Sequence, residues 1–321
     1  MIMQVVDLET IKAALAGVDP TPVIEAGFVA YSHGGAVVPP VGELILHEPP
    51  GEVHIKYGYL KGGDHYVIKV ASGFSENPQR GLPSGDGLML LFSRHTGRLE
   101  LLLLDHGYLT DLRTAVAGAI CARCLAPATV TRIGIVGTGV QARLQLQHLA
   151  SVTPCRDVLA WGRSPGKLAA YRSDMTAAGF HVETAQTAAE LPATCNLIVT
   201  ATAARAPLLF ADQVRPGTHI TAVGSDTPDK QELDPGILAL ADRVVADSIS
   251  QCKIRGEIAH ALRAGTIQES DLVELGNVIS GDAPGRTGPD QITVADLTGV
   301  AVQDIQIAEA VYRALRDRPA G

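Results

Sequence analysis

The segment Gly137-Thr138-Gly139-Val140-Gln141-Ala142 stands directly after a short apolar run, Arg132 to Val136, and directly before an amphipathic stretch, Gln141 to Leu149. A GxGxxA turn between a strand and a helix lets the chain bend tightly and brings bare backbone up to a pyrophosphate. The pyrophosphate then rests on the helix N-terminus, where unpaired N–H groups and the helix dipole favour an anion. A dinucleotide is the expected ligand. An NAD site carries an acidic residue about twenty positions further on to hold the ribose 2′-hydroxyl. Here that region reads Trp161-Gly162-Arg163-Ser164, with no carboxylate. Arg163 and Ser164 suit a 2′-phosphate instead, so NADP is expected in preference to NAD. Thr200, Thr202 and Val223, at or just beyond the ends of later apolar runs, are further candidate cofactor contacts.

A second group of residues carries positive charge in apolar surroundings. Lys69 lies between Ile68 and Val70 in the run Tyr66 to Ala71. A lysine there must be paired or functional, because an unpaired buried charge is strongly destabilising. In Glu52 to Leu60 the residues Val53, Ile55, Tyr57 and Tyr59 share one strand face, which leaves His54 and Lys56 on the other. An adjacent strand in suitable register would bring Lys69 alongside Lys56; a solvated Lys56 satisfies the same pattern. Arg113 offers the planar fork that grips a carboxylate through two bonds. Asp226 follows the run His219 to Val223, at the carboxyl edge where open α/β sheets bind ligands. The ten histidines show no ligand spacing, so no metal is expected.

The elements that must position these residues are legible in outline. With 321 residues, two domains of ordinary size are expected. Apolar residues make up 46% and charged residues 19% of the chain, which excludes disorder, and the scarcity of aromatics (4%) calls for an aliphatic core. From Gly42 to Leu104 short alternating runs separated by Gly and Pro predict antiparallel strands. Arg113 to Ala126 reads as an alanine-rich helix. Strands then alternate with helices, at Arg132 to Val136, Val158 to Trp161, Leu197 to Thr200, His219 to Val223 and Val244 to Ala246, which predicts a parallel sheet. Val302, Ile305, Ala308, Tyr312 and Leu315 form one apolar helical stripe with no place in that sheet. The stripe is expected to return to the first domain. The predicted fold is therefore α/β, with a Rossmann-type parallel-sheet domain (128–295) inserted into a discontinuous α+β substrate-binding and dimerisation domain (1–127 and 296–321).

Lys+Arg 26 against Asp+Glu 34 gives a net charge of −8 with no basic block, which argues against nucleic acid as a partner. The longest apolar runs are far shorter than a membrane span requires, and no targeting pattern opens the chain. Five cysteines lack framework spacing, and Cys121 and Cys124, although a CxxC, sit inside the alanine-rich helix. A soluble protein of the reducing cytoplasm is expected.

Several stretches together resemble the ornithine cyclodeaminase/mu-crystallin family over essentially the whole chain: YVIKVASGF (66–74), GLPSGDG (81–87), LTDLRTA (109–115), IGIVGTGVQARLQ (133–145), AVGSDTPDKQEL (222–233) and DLTGVAVQD (296–304). The resemblance implies an NAD(P)-binding Rossmann domain and a homodimer. It further implies Lys69 as an active-site lysine, Arg113 as the arginine that binds the substrate carboxylate and Asp226 as a catalytic aspartate. Thr298 and Gly299 become candidate contacts at the nicotinamide end. The chain also departs from the family. Where many members read Pro-Pro-Arg, it has Pro39-Pro40-Val41, and where many have Met-Pro, it has Ile55-Lys56-Tyr57. A basic residue lost at Val41 and gained at Lys56 suits a substrate with a second carboxylate. Gln231 stands where cyclodeaminases tend to carry threonine. The expectation is thus an NAD(P)H-dependent imine reductase or amino-acid dehydrogenase acting on a small anionic amino or imino acid, such as iminosuccinate or a cyclic ketimine carboxylate. Two alternatives are an ornithine cyclodeaminase and a crystallin-like protein that retains NADP without turnover.

Overall fold

The alternation in Glu52 to Leu60 and Tyr66 to Ala71 becomes two central strands, Pro50–Leu60 and His65–Gly73, of a seven-stranded sheet. In this computed structural model residues 3–317 are described. They divide into two units. One comprises the residues up to Arg113 together with those from Val300 onward; the other is Thr114–Gly299.

In the first unit the strand order is Gln4–Asp7, Leu99–Leu104, Gly85–Ser93, His65–Gly73, Pro50–Leu60, Ala36–Val37, with Gly42–His47 also pairing with Pro50–Leu60. All pairs are antiparallel except the first, where Gln4–Asp7 runs parallel to Leu99–Leu104. The two faces of the sheet are unlike. One row of register partners reads Lys56, Lys69, Met89, Leu103 and Val6, all buried. The next row points the opposite way and reads Tyr57, Ile68, Leu90, Leu102 and Val5, with Tyr57 37% and Val5 56% exposed. So the strand Pro50–Leu60 turns its charged residues inward and its aromatic and aliphatic ones outward.

Among the described residues the helices Leu8–Leu15, Thr21–Ser32 and Ala301–Arg316 and the first turns of Tyr108–Leu125 complete the unit, and Ala301–Arg316 packs on both of the central strands as well as on Leu8–Leu15 and Thr21–Ser32. The expected stripe is there, with Val302, Ile305 and Ala308 buried. Its neighbour comes close at Gly27, where a Cβ would lie 2.9 Å from Gln306 Cγ and 3.2 Å from the Val302 carbonyl oxygen.

The second unit holds an eight-stranded sheet in which every pair is parallel. Its order is His181–Thr184, Asp157–Trp161, Ile133–Val136, Leu197–Thr200, His219–Ala222, Thr293–Asp296, Arg243–Ala246, Leu272–Glu274. The order reverses between Ile133–Val136 and Leu197–Thr200, the switch point at which open α/β sheets form a crevice. Both domain boundaries move from their expected places. The first division falls after Arg113, inside the continuous helix Tyr108–Leu125, rather than after residue 127. The second falls after Gly299, because Thr293–Asp296 pairs on both sides and so belongs to the parallel sheet. Cys121, within that helix, is buried, and its thiol is pushed well up by burial, which makes it an inert core residue. Among the described residues no helix is long and apolar enough to cross a membrane.

Because Gly27 has no room for a side chain against Ala301–Arg316, Gly27→Leu should cost about 1–3 kcal/mol through overpacking. Urea denaturation of the variant beside the wild type measures it.

Candidate active site

Lys69 and Lys56 face each other directly across the pair His65–Gly73 and Pro50–Leu60. Both are buried, at 2% and 6% exposure. Like charges placed opposite each other on a sheet repel, so this arrangement needs a compensating anion. Part of it comes from Asp304, in the first turn of Ala301–Arg316, where the positive end of the helix dipole also favours a carboxylate. Asp304 Oδ2 lies 3.2 Å from Lys69 Nζ, and Oδ1 lies 2.9 Å from Arg113 Nε. Neither contact has the alignment of a good hydrogen bond, so the attraction is mainly Coulombic. Arg113 Nη1 also donates to Gln303 Oε1 at 3.2 Å.

The cluster sets protonation states. Burial, with the charges of Arg113 and Lys56, lowers Lys69 to about 7 although Asp304 pulls the other way. Burial alone would raise Asp304, but Arg113, Lys69 and Lys56 outweigh it and hold the carboxyl below its ordinary value. A lysine that titrates near neutrality beside a fixed carboxylate can give and take a proton at physiological pH. His54, two residues along the strand from Lys56 on the same face, is buried, with its ring nitrogens 3.6 Å from Glu43 and 3.9 Å from Glu52.

In the second unit the glycine loop stands where expected. Gly137 has φ 124°. A Cβ on it would lie 2.6 Å from the Ala201 carbonyl oxygen, so only glycine fits. Gly139 precedes the helix Val140–Leu149 and caps it without a side-chain hydrogen bond, and Gly139 and Val140 are exposed. Ala142, by contrast, is fully buried, as helix–sheet packing requires of the third position in the motif. Arg143 braces the loop: its guanidinium donates to the Thr138 carbonyl and, at 2.6 Å, to Asp174. Arg163 is exposed just beyond the strand Asp157–Trp161, and Ser164 Oγ accepts from Lys167 N as the cap of the helix Pro165–Ala177.

Other expected contacts have their side chains committed elsewhere. Thr200 is fully buried, and its hydroxyl donates to Glu232; Thr202 donates to the same carboxylate. Val223 is 8% exposed. Thr298 Oγ1 donates to Asp247 and accepts from Gln251, while Gly299 N donates to Asp247. Thr200 and Thr298 thus support turns at the carboxyl edge rather than presenting a hydroxyl to a ligand. Asp226 is half-exposed, forms an ion pair with Lys230 at 2.8 Å, and its carbonyl accepts from Arg255 at 3.2 Å. No helix follows it: a turn leads to the strand Gln231–Leu233, where the Gln231 side chain donates to the Leu233 carbonyl. Lys56, Lys69 and Arg113 are thus brought together in the first unit around Asp304, whereas Asp226 and the glycine loop belong to the second. Asp304 was not singled out from sequence, where it stands beside Gln303, Gln306 and Glu309 as one polar residue of an amphipathic helix.

The glycine loop at the switch point suits a dinucleotide and the buried lysine suits proton transfer; similarity makes the chain an NAD(P)-dependent oxidoreductase acting on carbon–nitrogen groups. The chain belongs to the ornithine cyclodeaminase/mu-crystallin family, whose profile matches residues 1–318. It is 41% identical over 306 residues to an uncharacterized cyclodeaminase of Sinorhizobium fredii, covering 94% of this chain and 92% of that one. It is 36% identical over 293 residues to the iminosuccinate reductase of Paracoccus denitrificans, covering 90% and 89%. The structure of an archaeal alanine dehydrogenase dimer with bound NAD superposes with a TM-score of 0.91 at 32% identity, over 100% of this chain and 98% of that one.

Replacing Asp304 by Asn should leave Lys69 and Arg113 without their shared carboxylate, at a cost of about 3–5 kcal/mol. Asp304 is a group that raises Lys69, so its loss lowers Lys69 below about 7. If protonated Lys69 is the working form, activity falls as pH rises through that value, and in Asp304→Asn the falling limb moves to lower pH. A pH profile of kcat/KM for both proteins checks the direction.

Proposed function

We propose that this protein is an NAD(P)H-dependent imine reductase for a small imino acid with two carboxylates, iminosuccinate being the simplest example. The observation that carries the reading is the direct pairing of Lys56 with Lys69 on a buried sheet face, with Arg113 of the helix Tyr108–Leu125 joined to Lys69 through Asp304. Three cationic side chains concentrated there favour a substrate richer in negative charge than a monocarboxylate. The 36% identity to an iminosuccinate reductase supports the same class.

Bound NAD(P)H supplies the hydride. Gly137, Thr138, Gly139 and the start of Val140–Leu149 would hold its pyrophosphate through backbone N–H groups. Arg163, exposed where a ribose-binding carboxylate is absent, supports NADP(H) as the preferred form. Arg113 holds one substrate carboxylate and Lys56 the other. Lys69, protonated below about 7, polarises the imine and gives its proton to the nitrogen as the carbon is reduced.

We infer a homodimer joined through the outer face of the seven-stranded sheet. Leu44, Ile55, Tyr57 and Val5 are exposed there at 58%, 38%, 37% and 56%. Such a contiguous apolar face on a soluble chain calls for a partner, and the alanine dehydrogenase of similar fold is a dimer.

NADH and NADPH oxidation with iminosuccinate, 1-pyrroline-2-carboxylate, 1-piperideine-2-carboxylate and pyruvate plus ammonia tests the activity. Turnover is expected with iminosuccinate first, and faster with NADPH. Proline and ammonia formed from ornithine without net cofactor oxidation would overturn it. Lys56→Ala should raise KM for the dicarboxylic imine about tenfold, the loss of one charge-assisted contact, and leave monocarboxylic imines nearly unchanged. Equal effects on both would remove the two-carboxylate assignment. For the dimer, Tyr57→Asp should shift the species seen by size-exclusion chromatography with light scattering to a monomer.

A further inference from the structure

Four donors converge on the carboxylate of Glu232, a fully buried residue in the short strand Gln231–Leu233. Oε1 accepts from Thr202 N at 2.6 Å and Thr202 Oγ1 at 2.7 Å. Oε2 accepts from Thr200 Oγ1 at 2.8 Å and Gly224 N at 2.9 Å. The donors come from the turns that follow two adjacent strands, Leu197–Thr200 and His219–Ala222. Those turns are pressed together with no space left over. A Cβ on Gly224 would lie 2.1 Å from the Thr202 carbonyl oxygen, and one on Gly137 would lie 2.6 Å from that of Ala201 and 3.4 Å from Thr202 Cγ2. The glycine loop therefore rests directly on the turn that Glu232 holds. Glu232 is itself anchored, since the Glu257 carboxylate accepts from Glu232 N at 2.8 Å and Leu233 N at 3.1 Å.

We propose that Glu232 is a positioning residue for the dinucleotide: its carboxylate fixes the Thr200–Thr202 and Val223–Gly224 turns and so sets the seat of the Gly137–Gly139 loop. The inference rests on the reading of that loop as the dinucleotide site. Each carboxylate oxygen takes one backbone N–H, which cannot rotate away as a hydroxyl can. In Glu232→Gln either orientation of the amide therefore turns an NH2 group toward a backbone N–H, of Thr202 or of Gly224. One of the two turns must shift, although size and shape are conserved.

The test measures the Kd for NADH and NADPH by nicotinamide fluorescence, without substrate, and then KM for cofactor and for imine separately. Glu232→Gln should weaken dinucleotide binding about tenfold or more, the effect of one buried donor left unmatched, while KM for the imine moves less than twofold. A uniform loss across both substrates, or an unchanged Kd, overturns the proposal. Should Glu232→Gln fail to fold, Thr200→Val decides. It removes one of the four donors from a side chain too buried to touch a ligand, and should weaken binding about fivefold; no change overturns the proposal. Wild type that binds neither dinucleotide would overturn the cofactor reading, and this inference with it. A wild type that binds and variants that bind equally well would overturn the inference alone.

Discussion

The first unit is organised around one buried carboxylate that answers two buried cations. Asp304 meets Lys69 and Arg113, and each of the three comes from a different element: a helix begun at Ala301, the strand His65–Gly73 and the helix begun at Tyr108. None of the three charges is tolerable alone at that depth, because removing an ion from water is repaid only by close opposite charge. The chain must therefore bring residue 304 back to the strand it left more than two hundred residues earlier. The discontinuity of the first unit follows from that need as much as from the apolar stripe of the returning helix. The same arrangement keeps Lys69 near neutrality, since two neighbouring cations and burial pull it down while one carboxylate holds it up.

That constraint also decides which way the sheet faces. Lys56 alternates with Ile55 and Tyr57, so turning Lys56 inward beside Lys69 necessarily turns Ile55 and Tyr57 outward. A one-residue slip of Pro50–Leu60 would bury Ile55 and Tyr57 and expose Lys56, which hydrophobic patterning of that strand alone would favour. The cost of the native choice is an apolar outer face, and its return is a basic inner one. The two properties are a single consequence of strand geometry.

The residues themselves made much of this legible. The glycine loop, the strands beside it and the helical stripe near the end of the chain carry local signals, namely a turn that only glycine permits and periods of two or near 3.6. The juxtaposition of Lys56 and Lys69 could be framed from alternation and awaited only the register. Asp304 could not be found in the same way, because an acid within an amphipathic helix looks like part of its wet face until the helix is known to be buried nearly all round at that turn. Glu232 was hidden for a related reason: its four donors lie up to 32 residues away in sequence, and no local pattern shows two turns converging on a third segment. His181–Thr184 and Leu272–Glu274 are short strands bearing charge, so their period is too brief to register. The boundary at Arg113 was missed because helices are read as belonging to one domain, whereas the division falls inside the helix Tyr108–Leu125.

The second unit solves the opposite electrostatic problem. Its carboxyl edge carries Glu232, Glu257, Asp296 and Asp247, a concentration of acids where an anionic ligand is expected. Full charge on all of them would repel a pyrophosphate. Burial, reinforced by mutual repulsion, pushes Glu257 and Asp296 well above their ordinary values, and Glu232 is raised to about 7. The carboxyl oxygens accept from backbone N–H groups of the edge itself: Glu257 from Glu232 and Leu233, Asp296 from Ile258, Asp247 from Gly299. These carboxyls act as internal acceptors that tie neighbouring turns together. The start of Val140–Leu149, capped by Gly139 without a side-chain hydrogen bond, keeps the positive end of its helix dipole for an anion.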